Sequence, residues 1–345
     1  MTATPRGALA DLAFAYRMRW QRRRFLFRVW RKRKQITPVS DRTAQIGPDG
    51  VLCFATVRNE MLRLPYFLEH YRKLGVSQFL IVDNASDDGT AAYLADQPDV
   101  SLWSTTHSYK LARFGMDWVG WLQLQYGHDH WCLTVDADEL LVYPSSDERD
   151  LRQLTKWLDQ QGVPSFGALM LELYPKGPLD RVDYAVGSDP TKVLNWFDAD
   201  NYHHQIHPVY DNLWIQGGVR ERVFFADDPG KSPTLSKTPL VRWHWRHVYV
   251  SATHQLLPRR LNHVFDNEGD SKTTGVLLHT KFLPNIAEKA REELVRRQHF
   301  ENSDLYQDYH AGLMANPDLW HTDSCRYKGL SQLIALKLMS RGRWR

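Results

Sequence analysis

The sequence predicts an α/β fold built on a mostly parallel sheet flanked by helices, and three observations predict it. Apolar runs of strand length alternate with amphipathic segments of helical length between residues 51 and 144. The stretch WCLTV at 131–135 is apolar except for Thr134, as a strand covered on both faces would be. Three strand ends carry polar clusters: Arg58, Asn59 and Glu60; Asp83 and Asn84; Asp136, Asp138 and Glu139. Open α/β sheets bind ligands beyond the carboxyl ends of their strands, so the clusters mark one expected site.

Each element follows in order. VLCFATV at 51–57 is the first strand, and 59–74 is a helix with Leu64, Phe67, Leu68 and Tyr71 on one face, stopped by Gly75. FLIVDNAS is the second strand, Asp88 opens a short helix that ends near residue 96, and VSLWST is the third strand. A helix over 114–126 places Phe114, Trp118, Trp121, Leu122 and Gln125 on one stripe, and WCLTV is the fourth strand. Beyond residue 145 the pattern loosens to a helix at 147–160, the strand GALMLELYP, and a region rich in Trp, His, Pro and Gly up to about residue 270. Long irregular stretches of this kind read as binding loops or lids. The strand GVLLHTKFL, a charged helix over 286–300 and a final helix over 330–339 complete the chain.

At 345 residues and 43% hydrophobic composition the chain has ample material for a core. Cys53, Cys132 and Cys325 form no CxxC pair and read as reduced thiols of a cytoplasmic protein, not as a disulfide frame or a zinc site. The net charge of +4 hides an asymmetry. Residues 1–40 hold eleven Lys or Arg against the single Asp11, a local +10, and the remainder holds 33 basic and 39 acidic residues, or −6. The basic stretch interleaves Phe14, Trp20, Phe25, Phe27 and Trp30 with arginines, as a helix on an anionic membrane surface does, although a helix docked on the body or a partly disordered leader fits as well. Aromatic and basic interleaving also suits nucleic acid, which is not the expected partner. No apolar run reaches transmembrane length and no signal-peptide pattern follows, so any membrane association is peripheral, on the inner face.

Asp136, Asp138 and Glu139 place three carboxylates within four residues, and like charges that close repel unless something positive sits among them. A divalent cation held by oxygen ligands is the simplest such partner. Three readings compete: a turn cap, the nucleophilic Asp of a phosphatase fold, and a metal-diphosphate site. The phosphatase pattern requires the motif near the start of its domain, whereas three strands precede it here.

The run FATVRNEMLRLPYFLEHYRKLGVSQFLIVDNASDDGT followed by DHWCLTVDADELLVYP resembles the GT-A glycosyltransferases of the family 2 type, in their bacterial branch with the VRNE opening. DNASDDGT parallels that family's DDGSxDGT, with Asn84 for the second Asp and Ala85 for Gly. GGVR, LSKTPLVRW and LLHTKFL are similar to later segments of the same branch. The resemblance implies a GT-A domain over 47–300, with a nucleotide-binding half at 47–145 and an acceptor and metal-closing half at 146–300, between a basic aromatic segment at 1–46 and a helical segment at 301–345. It implies a nucleotide-diphosphate sugar as donor, Mn²⁺ or Mg²⁺ as cofactor, and a glycan or lipid-linked acceptor in surface polysaccharide synthesis.

Residue by residue, the resemblance puts Asp83 and Asn84 on the base or ribose of the donor and carries Asn59, Glu60 and Asp88 into the donor site through the same motifs. Asp136 and Asp138 would hold the metal on the diphosphate, with His279 as a third ligand, although a single His on a strand also suits a purely structural role. Arg58, Lys110, Arg113, Arg220, Lys237 and Lys281 are candidates for the diphosphate, Arg58 and Lys237 first. Inversion requires a base, which family 2 enzymes take from a Glu-Asp pair, and no such dipeptide occurs in this chain. Glu221, just after Gly217 and Gly218, is the first candidate and Glu172 the second; either also suits pairing with Arg220, Arg222 or Lys176. WHWRH at 243–247 reads as an acceptor platform or an aromatic core edge. The competing classes are a nucleotidyltransferase, which should show a Gly-rich, Arg-containing loop after the first strand, and a non-enzymatic membrane or nucleic-acid binding module.

Overall fold

A computed structural model describes residues 8–266, 271–296 and 307–344. Nine strands form its main sheet: β1 (Thr37–Ser40), β2 (Val51–Val57), β3 (Val76–Asp83), β4 (Val100–Ser104), β5 (Trp131–Thr134), β6 (Glu139–Val142), β7 (Ser165–Glu172), β8 (Ser236–Arg242) and β9 (Gly275–His279). Their order across the sheet is β1-β4-β3-β2-β5-β8-β7-β9-β6. The pairings make β2, β3, β4, β5, β7 and β9 run one way, whereas β1, β6 and β8 run against them. With six of nine strands aligned, the sheet is mainly parallel, as the strand and helix alternation predicts.

The period-2 geometry of β2 explains why its sequence shows no apolar alternation. Val51, Cys53, Ala55 and Val57 face a core completed by Leu64, Phe67, Leu68 and Tyr71 of α2 (Leu64–Lys73) and by Leu151, Leu154 and Leu158 of the helix Leu151–Gln160. Leu52 and Phe54 face the opposite core, which holds Trp118, Val119 and Leu122 of the helix Met116–Tyr126. Helices thus cover both faces of β2, which is apolar on both.

Several helix limits differ from expectation for local reasons; the helix expected over 147–160 starts at Leu151, where Asp150 caps it by accepting from Gln153 N. α2 starts at Leu64 because Asn59 has a left-handed φ of 51° and Pro65 favours the first helical turn. The helix expected over 114–126 starts at Met116, since Arg113, Phe114 and Gly115 all have positive φ. The helix expected over 330–339 ends at Ala335, just before Lys337 at φ 58°. GVLLHTKFL forms strand only as far as His279, and the last four residues of the helix expected over 286–300 lie outside the described residues.

The basic segment does not stand apart from the body. Helix α1 (Ala8–Lys32) lies on the Met116–Tyr126 helix, with Val29 and Met18 buried against Val248 and Leu257, and β1 extends the main sheet. At the other end of the chain Trp344 packs into the α2 core and Leu338 and Met339 into the core of the C-terminal half. All three cysteines are free. No helix among the described residues is long and apolar enough to cross a membrane.

Candidate functional site

A cavity of about 390 Å³ opens beyond the carboxyl ends of β2, β3, β5 and β9. Among the expected residues its wall holds Arg58, Glu60, Asn84, Asp136, Asp138, Arg220, Lys237, His279 and Lys281. Lys289 and Glu292, from the helix Ile286–Arg296, join them. Residues from both halves of the chain thus meet at one place.

The carboxylate cluster carries its own counter-charges. Lys237 Nζ, 4% exposed, lies 3.1 Å from Asp136 Oδ2 and bonds Glu139 Oε1 as well. Arg63 Nη1 lies 3.6 Å and His279 Nε2 3.2 Å from Asp138 Oδ2. Counter-charges from the chain itself therefore already sit among these carboxylates, where a divalent cation was the simplest partner expected. Burial alone would raise the Asp138 carboxyl; His279, with Arg63 and Lys281 beyond it, holds it well below the usual carboxylate range. Burial pushes Glu139 the other way, up to about 7, against the attraction of Lys237.

His279 sits in a row of charges set by strand pairing. It pairs laterally with Glu139 of β6 on one side and with Glu172 of β7 on the other. Its Nδ1 is 3.4 Å from Glu172 Oε1; burial alone would lower the ring's pKa, but Asp138 and then Glu172 raise it. Burial by itself would raise the Glu172 carboxyl; Arg220, with which it forms a buried ion pair, and then His279 hold it below the usual value.

Neither glutamate expected as the base lines the cavity. Glu172 is 2% exposed and engaged by Arg220 and His279. Glu221 lies on the short helix Gly218–Phe224, where its Oε2 accepts from Ser232 Oγ at 2.7 Å and its Oε1 is 3.5 Å from His203 Nδ1. The carboxylates that do line it are Glu60, Asp136, Asp138, Glu139 and Glu292, of which Asp136 has the most exposed side chain, at 49%. WHWRH also lies elsewhere: Trp243 is in the core, and Trp245 and Arg246 border a groove beside α1.

Several expected ligand residues instead build the walls. Asn59 N donates to Ser86 Oγ at 2.9 Å, and Asn59 Oδ1 accepts from Asp87 N at 2.9 Å. Asp88 accepts from Met61 N at 2.9 Å and Thr90 N at 3.0 Å, tying the turn after β2 to the turn after β3. Arg113 binds Asp117 Oδ1 and donates to the Tyr249 carbonyl, with the Phe25 ring 4.5 Å from its guanidinium, so it anchors the α1 side of the fold. Lys110 lies in the turn Lys110–Ala112, outside the cavity wall. Asp83 is buried at the end of β3 with Oδ1 unpartnered, while Asn84 Nδ2 donates to the carbonyls of Thr105 and His107. Arg58 spans the gap, donating to the Asn84 carbonyl at 2.8 Å and to Glu292 Oε1 at 2.8 Å.

Sequence reasoning missed Arg63, Lys289, Glu292 and His254. Arg63 read as one more helix residue, yet it is 3% exposed and also donates to the Thr280 carbonyl at 3.2 Å. Lys289 Nζ reaches Glu60 Oε1 at 2.5 Å; a Lys and a Glu three apart on one helix face, at 289 and 292, were the available signal. His254 donates from Nδ1 to the Ser236 carbonyl at 2.8 Å, and burial pushes its pKa down to about 3, so a neutral ring borders the cavity.

Asp136, Asp138 and His279 provide oxygen and imidazole donors of the kind Mn²⁺ and Mg²⁺ accept. Among the described residues no three His, Cys, Asp or Glu side chains converge as a metal cage. These three donors alone do not enclose a cation.

An α/β sheet with charged residues gathered at its strand ends is the class of protein that fold and site define. Comparison with known proteins adds little to that. No protein-family model matches the chain, and no curated protein matches it. Among solved structures it is similar to a mannosyltransferase from Pyrobaculum calidifontis in complex with GDP-Man and Mn²⁺, at 20% identity and a TM-score of 0.28, covering 46% of each chain. It is also similar to a UDP-glucose pyrophosphorylase from Acinetobacter baumanii (11% identity, TM-score 0.30, 77% of this chain and 99% of that one). A 4-diphosphocytidyl-2C-methyl-D-erythritol synthase matches at 14% identity and a TM-score of 0.26, over 41% and 65%. The chain spans less than half the length of the mannosyltransferase, and at these TM-scores the likenesses decide nothing about the reaction.

Proposed function

We propose that the protein is a metal-assisted glycosyltransferase of the GT-A type, related to family 2. It would move a sugar, with inversion, from a nucleotide-diphosphate donor to a hydroxyl of a glycan or lipid-linked acceptor, at the inner face of a membrane. One observation carries this reading: Asp136, Asp138 and His279 share one cavity with Arg58, Arg220, Lys237, Lys281 and Lys289. A diphosphate takes cationic partners, and a hard cation takes carboxylate oxygens.

In this reading the base or ribose lies beside Arg58 and Asn84, which line the cavity, with Asp83 buried behind them. Asp136, Asp138 and His279 would hold Mn²⁺ or Mg²⁺ with diphosphate oxygens completing its shell. When bound, the metal offsets charge on the departing nucleoside diphosphate. Lys237 fixes Asp136 and Glu139, and Arg63 steadies Asp138. Glu172 faces Nδ1 of His279, which leaves Nε2 directed at Asp138; a carboxylate behind a ligating histidine orients it in this way.

The turn after β2 argues against nucleotidyl transfer. It contains no glycine, and its amides are taken: Asn59 N by Ser86, Glu60 N by Thr90 and Met61 N by Asp88. An open amide cradle for a triphosphate is therefore missing at residues 59–61. Titration of a panel of nucleotide sugars by calorimetry, with and without Mn²⁺, followed by product analysis, tests the proposal. Release of a nucleoside diphosphate supports it; turnover only with pyrophosphate, or no donor binding, overturns it.

A further inference from the structure

Helix α1 presents two opposite faces. One is docked: Val29 and Met18 are buried, Gln21 Nε2 donates to Tyr210 Oη at 2.6 Å, and Arg28 Nε donates to the buried Asp117 at 2.6 Å. The opposite face carries Leu9, Leu12, Tyr16, Trp20, Phe27 and Trp30, spaced three, four or seven residues apart and 48–84% exposed. Arg17, Arg23, Arg24 and Arg31 are exposed along the same helix.

From this arrangement we propose that the outward face of α1 seats in the surface of an anionic lipid bilayer. The apolar and aromatic side chains enter the boundary between head groups and acyl chains, and the arginines bind head-group phosphates. Charge selects the occupant. Residues 1–40 carry +10 and the remainder −6, so an anionic surface attracts this face and repels the rest of the molecule. Nucleic acid would attract the arginines too, but a phosphate backbone offers nothing to Leu9, Leu12 and Phe27. The docked face of α1, by contrast, touches the turn beside the cavity. Arg28 Nη2 donates to the Leu111 carbonyl at 2.5 Å, and Tyr109 and Phe114 on either side of that turn line the cavity. The inference does not depend on the glycosyl-transfer reading, although a lipid-linked acceptor would connect the two.

Sedimentation of the full chain with vesicles of equimolar phosphatidylcholine and phosphatidylglycerol tests it. One variant combines Leu12→Ser, Trp20→Ser and Phe27→Ser; a second combines Arg17→Gln, Arg23→Gln and Arg24→Gln. All six positions are exposed, so circular dichroism should report an unchanged fold. The unaltered protein should bind these vesicles in a salt-sensitive manner, and each variant should bind about tenfold more weakly or worse. Undiminished binding by either variant, no binding by the unaltered protein, or tighter binding to an oligonucleotide than to the vesicles overturns the proposal. Nucleotide-sugar binding, followed in the same variants, reads the cavity alone and distinguishes failure of this inference from failure of the catalytic one.

Discussion

Lys237 and Asp136 lie 3.1 Å apart at the mouth of the sheet, one almost fully buried and the other half exposed, and the same ammonium bonds the buried Glu139. The chain thus brings a lysine from residue 237 to answer a charge problem posed at residues 136–139. Removing one partner of a buried ion pair leaves the other uncompensated, at a cost of about 3–5 kcal/mol. Lys237→Met should lower unfolding free energy by that order in urea titrations, and a loss below about 1 kcal/mol would show that the pair is not what keeps the cluster folded.

Asp136 and Asp138 should differ when changed to Asn. Asp136 is half exposed, so Asp136→Asn should keep the thermal midpoint while abolishing metal-dependent donor binding. Asp138 also balances His279 and Arg63, so Asp138→Asn should lose donor binding and some stability together. Calorimetry with Mn²⁺ and a nucleotide sugar, beside thermal unfolding, checks both; full activity in the two variants would sink the metal-site reading.

Glu172→Ala should act first on the fold. It strands the buried Arg220 and frees one side of His279, so a loss of about 3–5 kcal/mol is expected. Glu221→Gln, outside the cavity wall, should leave donor affinity unchanged and turnover within a few-fold. A drop in turnover of about 10²-fold or more with intact donor binding would instead restore Glu221 as the base.

Low pH should charge a half-buried histidine on α2 that packs against β6. Burial pushes the pKa of His70 down to about 4, outweighing its hydrogen bond to the Leu141 carbonyl at 2.9 Å. A base whose folded pKa is depressed contributes stability above its unfolded value near 6.5, and that contribution is lost as pH falls toward 4. Unfolding free energy should fall by on the order of 2–3 kcal/mol from this ring across that window, and His70→Gln should flatten the slope. An identical pH profile in the variant would refute the assignment.

The parallel strands were legible because burial on both faces leaves continuous apolar runs such as VLCFATV and FLIVD. The site's position followed from the polar residues that end them. What could not be read was the partner of each charge. β8 and β6 enter the sheet antiparallel, through pairings that join residues about 70 or more positions apart, and no local pattern encodes them. For that reason the ion pairs of Lys237 with Asp136 and Glu139 could not be read beside the phosphate role expected of it. The motif residues Asn59 and Asp88 likewise spend their polar atoms on neighbouring turns, a use that spacing alone does not distinguish from ligand binding.

Glu139, His279 and Glu172 stand abreast because β6, β9 and β7 pair in one register. Had β9 slipped by a single residue, Leu278 would face the two glutamates and the imidazole would turn toward the opposite side of the sheet. Glu139 would keep Lys237 and Glu172 would keep Arg220, but Asp138 and Glu172 would both lose the imidazole that lies between them, a loss that disfavours the slipped register. The row therefore proofreads the assembly of the three strands: a copy of this protein that folds at all folds with its chemistry already aligned.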